Sequence, residues 1–150
     1  MAAFVTPAGS RMVDPFDGKM MPWLQEDVEN DVIHMQDPRH AFYAHIESDI
    51  EAQQWLDKTV FCPASVIQDA VEYVPYKHVG RGVDATYLVC ERDKELNAAV
   101  QEGMATLLGE TRRMEYCDAG HCCMIGYART IADVVERAWK ATELRLKSER

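Results

Sequence analysis

The sequence predicts an α/β fold with a parallel sheet, and three features of its last third carry that prediction. The run "ATYLVC" (85–90) has the composition of a buried strand. After it, Leu96, Ala99, Val100, Met104, Leu107 and Leu108 trace one helical face that Gly109 closes. "RRMEYC" (112–117) then gives a second strand, followed by a helix that Thr130 and Asp133 cap, with Ile131, Val134, Val135, Ala138 and Trp139 facing inward. Strand, helix, strand, helix is the order of parallel strands joined by right-handed crossovers.

The chain divides as one domain over residues 1–150, with a first strand and turn in 1–13, a helical cap or lid in 14–80 and the strand-helix-strand-helix unit in 81–150. "AAFVTP" (2–7) is a short apolar run closed by Pro7 and Gly9, as expected of a buried strand entering a turn. Residues 14–40, with two Asp-Pro steps, predict an irregular excursion whose apolar cluster is Met20, Met21, Trp23 and Leu24. Ser48 and Glu51 form a capping box ahead of a helix reaching about residue 61, with Trp55, Leu56 and Val60 on its apolar side. Ile67, Ala70 and Val71 suggest a weaker helix that Pro75 ends, and "HVGRGVD" (78–84) reads as a loop.

A chain of 150 residues with 47% hydrophobic and 27% charged residues has the composition of a globular domain with its own core. Its formal charge of −9 argues against nucleic acid as a partner, because that binding needs Lys and Arg to neutralise phosphates. The N-terminal residues show no secretory signal, and no apolar run reaches the ~20 residues of a membrane helix. A cytoplasmic protein without membrane contact is the expectation. Five cysteines with no framework spacing fit reduced thiols in that compartment.

Functional groups of an open parallel sheet gather beyond the carboxyl ends of its strands. Asp93 follows the strand ending at Cys90, and His121 follows the one ending at Cys117, 28 residues later. One strand-helix-strand unit spans that distance, so the two loops can lie side by side at the same edge; the alternative is a solvated loop acid and a satisfied loop histidine. A carboxylate there holds one imidazole nitrogen, sets the tautomer and leaves the other nitrogen as a base.

"TYLVCERD" followed by "DAGHCCMI" resembles the acid and histidine segments of α/β-hydrolases of the plant methylesterase and hydroxynitrile-lyase kind. "AAFVTPAG", "MPW" and "DPRHAFYAHIESDIEAQQWL" are similar to the second half of small fungal members of that group. The resemblance implies Asp93 as the triad acid, His121 as the triad base, and a truncated α/β-hydrolase-like sheet of about three parallel strands with a helical cap insertion. It implies a small-molecule substrate, no cofactor and a setting in secondary metabolism. Met20, Met21 and Trp23 would wall the substrate cavity.

Three departures from that family matter. The chain begins where such a protein has reached its sixth strand, and the Gly-x-Ser-x-Gly elbow is absent: Ser10, Ser48, Ser65 and Ser148 lack its flanks. Where the family continues its acid loop with Ile-Pro, this chain reads "KELN" (94–97). "KHVGRG" (77–82) looks like an extra insertion relative to that family. The expected reaction is therefore ester or lactone hydrolysis, or a lyase or cyclase step, run by an Asp93–His121 dyad without a serine. A ligand-binding accessory subunit and an incomplete hydrolase needing a partner chain stand beside it. The first strand, left with an open edge, predicts a homodimer or a partner chain covering it.

Cys117, His121, Cys122 and Cys123 invite a zinc reading, but C-x3-H-C-C is not a recognised ligand spacing and adjacent cysteines in an extended segment point apart, so no metal is expected. Cys122 and Cys123 are poor nucleophiles for His121 by the same adjacency. His34, His40, His45 and His78 fall in loop or cap segments and suggest no second dyad.

Overall fold

The computed structural model describes residues 4–149. The chain is mixed α/β, with two small sheets among the described residues. The first is antiparallel, in the order β1 (Leu24–Asp27), β2 (Val32–Met35), β3 (Cys62–Pro63). The second is parallel, β4 (Thr86–Cys90) and β5 (Arg113–Cys117), two strands among the described residues where about three were expected. Helices α1 (Pro38–Ala41), α2 (Asp49–Leu56) and α3 (Ser65–Gln68) lie in the cap region, α4 (Ala98–Ala105) forms the crossover, and α5 (Ala128–Ser148) closes the chain.

The hairpin β1–β2 corrects the expected irregular excursion. Its four-residue connection contains no glycine, and Asp27 holds the turn by accepting from the Asn30 backbone N–H at 3.2 Å and side-chain amide at 2.8 Å. Ile33 enters the core with Val13, Met21, Ala64 and Ile67, which fixes the register.

The expected first strand is also corrected. Residues 4–7 form no strand, while residues 2 and 3 of that run lie outside the described residues. The segment is anchored by other means: Tyr76 Oη donates to the Thr6 carbonyl at 2.7 Å, and Gly9 and Ser10 exchange backbone bonds of 2.9 Å with Val71. Phe4 and Val5 pack against two different apolar clusters, so burial rather than strand pairing explains the run. The premise of an exposed first-strand edge falls with it.

Ser48 caps α2 as predicted, accepting from the Glu51 N–H at 3.3 Å, but the helix ends at Leu56 and Val60 is 81% exposed. The weaker helix shrinks to the single turn α3, and Pro75 opens a 3-10 turn instead of ending a helix. Of the predicted inward residues Ile67 is buried and Ala70 is exposed, while Ala64 and Val74 are buried as well.

Crossover α4 starts at the Asn97 cap, whose side chain accepts from Val100 N–H at 3.1 Å, and leads through a 3-10 turn to Gly109 at φ +83°. Leu96 and Ala105 are buried, but Val100 and Leu107 face solvent, and the residue buried between them is Gln101. Glu91 N–H donates to Cys117, so the N–H and C=O of Cys90 face the opposite edge of β4. Gln101 occupies that edge, with Oε1 accepting from Cys90 N–H at 2.9 Å and Nε2 donating to Cys90 C=O at 3.0 Å. A side chain thus does there what a neighbouring strand would do.

Helix α5 begins at Ala128, ahead of the predicted Thr130 cap, after Tyr127 with no side-chain cap bond. Only Val134 is fully buried; Val135 and Trp139 are 62% and 68% exposed, since a two-stranded sheet is too narrow to cover a broad helix face. Polar fasteners hold it: Arg137 pairs with Glu115 at 2.8 Å, and Thr142 and Arg145 bind Asp84. Among the described residues no helix is long and apolar enough to cross a membrane.

Candidate active site

Strands β4 and β5 pair from Thr86↔Arg113 to Cys90↔Cys117, so their carboxyl ends are flush. Pairing continues into the loops, where Glu91 N–H donates to Cys117 at 2.9 Å and Arg92 N–H to Ala119 at 3.0 Å. The Arg92 guanidinium then reaches the Asp118 carboxylate at 2.8 Å and the Tyr127 hydroxyl at 2.8 Å. These bonds clamp the two loops side by side.

Asp93 and His121 meet at this clamp. His121 Nδ1 lies 2.9 Å from Asp93 Oδ2, and the Asp93 side chain is 0% exposed against 15% for His121. The other carboxylate oxygen, Oδ1, accepts from Glu95 N–H and Leu96 N–H, both at 2.9 Å. Three donors therefore fix the carboxylate, and with an acceptor on Nδ1 the imidazole carries its proton there and leaves Nε2 with a lone pair. Phe42 stacks on the ring at 4.9 Å between centroids and 25° between planes.

His121 opens on a cavity of about 260 Å³. Met21, Trp23, Leu24, Phe42 and Ile67 supply apolar walls, and Glu95, Cys62 and His121 are its titratable members. Of the cap residues expected to wall the site, Met21 and Trp23 do so, whereas Met20 packs against the Val13–Ile33 cluster and is not part of the lining. None of the four serines lines it.

Phe42 and Glu95 were not legible as site residues. Phe42 lies in a segment with no periodic pattern, and its stacking depends on how α1 docks. Glu95 did leave a signal, since it sits in the "KELN" departure. Its Oε2 is buried without a hydrogen-bond partner among the described residues, and burial pushes its pKa above the ordinary glutamate value. A protonated His121 would oppose that rise, and the Asp93 carboxylate reinforces it.

Residues 121–126 form turns, which corrects the expected extended segment, yet the two adjacent cysteines still enter different clusters. Cys123 joins Cys90 and Cys117 in a buried cluster, while Cys122 packs beside Tyr43 and Ile46. Burial pushes the Cys122 thiol up to about 11, which leaves it protonated at neutral pH and a weak nucleophile. Among the described residues no group of three His, Cys, Asp or Glu side chains is arranged to hold a metal ion.

Gly120, next to His121, is fixed by close approach. A Cβ at this position would lie 2.6 Å from Nδ1 of His45, whose Nε2 is 3.2 Å from the Ile125 carbonyl. His45 thus braces the histidine loop from behind. No protein-family model matches the chain, and no curated protein matches it in sequence.

Proposed function

We propose that the protein is a small-molecule enzyme with an α/β-hydrolase-like site, in which Asp93 and His121 act as an acid/base dyad without a serine. The supporting observation is the buried 2.9 Å Asp93–His121 bond at the mouth of an otherwise mostly apolar cavity. Asp93 holds the imidazole and stabilises it when protonated, and Nε2 takes a proton from water or from the substrate. Hydrolysis of a small ester or lactone, or a lyase or cyclase step, lies within reach of such a base. General-base assistance contributes typically ~10²–10⁴-fold. A cytoplasmic setting in secondary metabolism accords with this reading.

The test compares wild type with His121→Ala, both verified as folded by circular dichroism, on a panel of small esters and lactones. Turnover that disappears with the imidazole supports the dyad. Equal background rates in both proteins reject it and favour a ligand-binding role.

A further inference from the structure

The cavity contains an ionisable group that the dyad leaves unused. Glu95 follows Asp93 by two residues, and its backbone N–H is bound by Asp93 Oδ1, so the dyad's own carboxylate fixes where Glu95 starts. Its side chain lines the same cavity as His121, with Oε2 buried and unpartnered among the described residues. One carboxylate oxygen removed from water without a partner disfavours the charged form, and burial raises the Glu95 pKa above the ordinary glutamate value. The titratable groups facing it are His121 from the loop after β5, Asp93 from its own loop, His40 and Asp37 from α1 and its cap, and Cys62 across the cavity. None of them forms a hydrogen bond to the buried oxygen.

We propose that Glu95 is the general acid that works opposite His121, and that the site takes small apolar carbonyl compounds and moves protons through their enols. The proposal rests on the dyad reading and narrows its chemistry. His121 Nε2 removes a proton from the carbon next to the carbonyl. The C–H electron pair becomes the new C=C bond, the carbonyl π pair moves to oxygen, and Glu95 delivers its proton to that oxygen. Return of a proton from the imidazolium to carbon, and of the enol proton to Glu95, restores both groups. The net change is an isomerisation or an isotope exchange, which needs neither a nucleophile nor a co-reactant. At roughly 30 Å³ of liquid volume per water, a 260 Å³ cavity holds the equivalent of about nine waters, the scale of a small bicyclic ketone.

The probe is 2-tetralone in D₂O, with loss of its C1 proton signal followed by NMR for the full chain, His121→Ala and Glu95→Gln. Wild type is expected to exchange faster than buffer and His121→Ala at the background rate. Glu95→Gln keeps the shape of the protonated acid and still donates a hydrogen bond, so its rate falls about 10²-fold, the low end for general-acid catalysis. The decline of the wild-type rate as pH rises through the Glu95 pKa disappears in this variant. Carboxyl ¹³C NMR of wild type is expected to place Glu95 above the ordinary glutamate range. An unchanged rate and pH profile in Glu95→Gln overturns the proposal, as does an ordinary Glu95 titration. Wild-type exchange at the His121→Ala rate overturns it too, while the ester and lactone panel judges the dyad separately.

Discussion

Gln101 binds both backbone groups of Cys90, accepting from its N–H at 2.9 Å and donating to its carbonyl at 3.0 Å. Both partners are fully buried, so neither Cys90 group has water to fall back on. Gln101→Leu keeps most of the volume and removes the bonds. Leaving a buried donor and acceptor unmade costs about 2–4 kcal/mol together, a drop in Tm of roughly 5–15 °C for a domain of this size. Thermal unfolding followed by circular dichroism checks this, and a change below 2 °C would show that the edge is satisfied in another way.

Asp93→Asn separates tautomer control from packing. The amide oxygen still accepts from Glu95 and Leu96, but the NH₂ group then faces His121 Nδ1 and favours a proton on Nε2. Turnover is expected to fall by ~10²–10⁴ with little change in ligand affinity. The readouts are kcat, Kd and the ¹⁵N shifts of the imidazole. A variant with wild-type kcat would remove Asp93 from the mechanism.

The parts of this fold that were legible are those in which local pattern and tertiary role coincide. Asp93 and His121 could be paired because a crossover between parallel strands fixes where the two loops end up, whatever surrounds them. The "AAFVTP" run marks burial, and burial does not distinguish a strand from a segment wedged between two clusters, as Phe4 and Val5 are. The β1–β2 hairpin was hidden because Gln25, Glu26 and His34 dilute its alternation and a Val-Glu-Asn-Asp connection lacks glycine. Gln101 and Glu95 were overlooked for one reason: each is polar, and polar residues on a helix or in a loop are ordinarily solvated. Only the folded chain shows one filling a strand edge and the other entering the cavity.

Asp84 links α5 to the start of β4 through Thr142 Oγ1 at 2.7 Å and Arg145 Nε at 3.2 Å. The Thr142 hydrogen bond and the Arg145 guanidinium hold its carboxyl below the usual aspartate value. A carboxyl with a depressed folded pKa supplies stability above its unfolded value and loses it as pH falls through the folded one. Asp84→Asn is therefore expected to lower the urea midpoint at neutral pH and to match wild type at pH values below the depressed pKa. A difference that persists unchanged into strong acid would assign the effect to packing.

Cys62 shares the cavity with His121, which makes it the one thiol placed to act as a nucleophile instead of water. Among the described residues its side chain forms no hydrogen bond to His121, whose Nδ1 is already committed to Asp93. If the base acts on water or on substrate carbon, Cys62→Ala leaves kcat within about threefold, since only packing changes, whereas losing a nucleophile costs orders of magnitude. Loss of activity together with trapping of an acyl adduct on the wild-type thiol, seen by mass spectrometry, would replace the dyad by a cysteine mechanism.

Gly120→Ala tests whether the histidine loop depends on the brace behind it. The added methyl would lie 2.6 Å from His45 Nδ1, and His45 is also positioned against the Ile125 carbonyl in the same loop region, so relief requires the imidazole or the loop to move. Forced overpacking of this kind costs typically ~1–3 kcal/mol. Removing the imidazole with His45→Ala opens the space, so the double variant is expected to be more stable than Gly120→Ala alone, with a coupling energy of about 1 kcal/mol or more in a double-mutant cycle. Because Gly120 adjoins His121, the single variant should also lose activity, and the double variant should regain part of it. Strictly additive effects on both stability and kcat would mean that His45 and Gly120 act independently, and that the clamp at Arg92 alone positions the base.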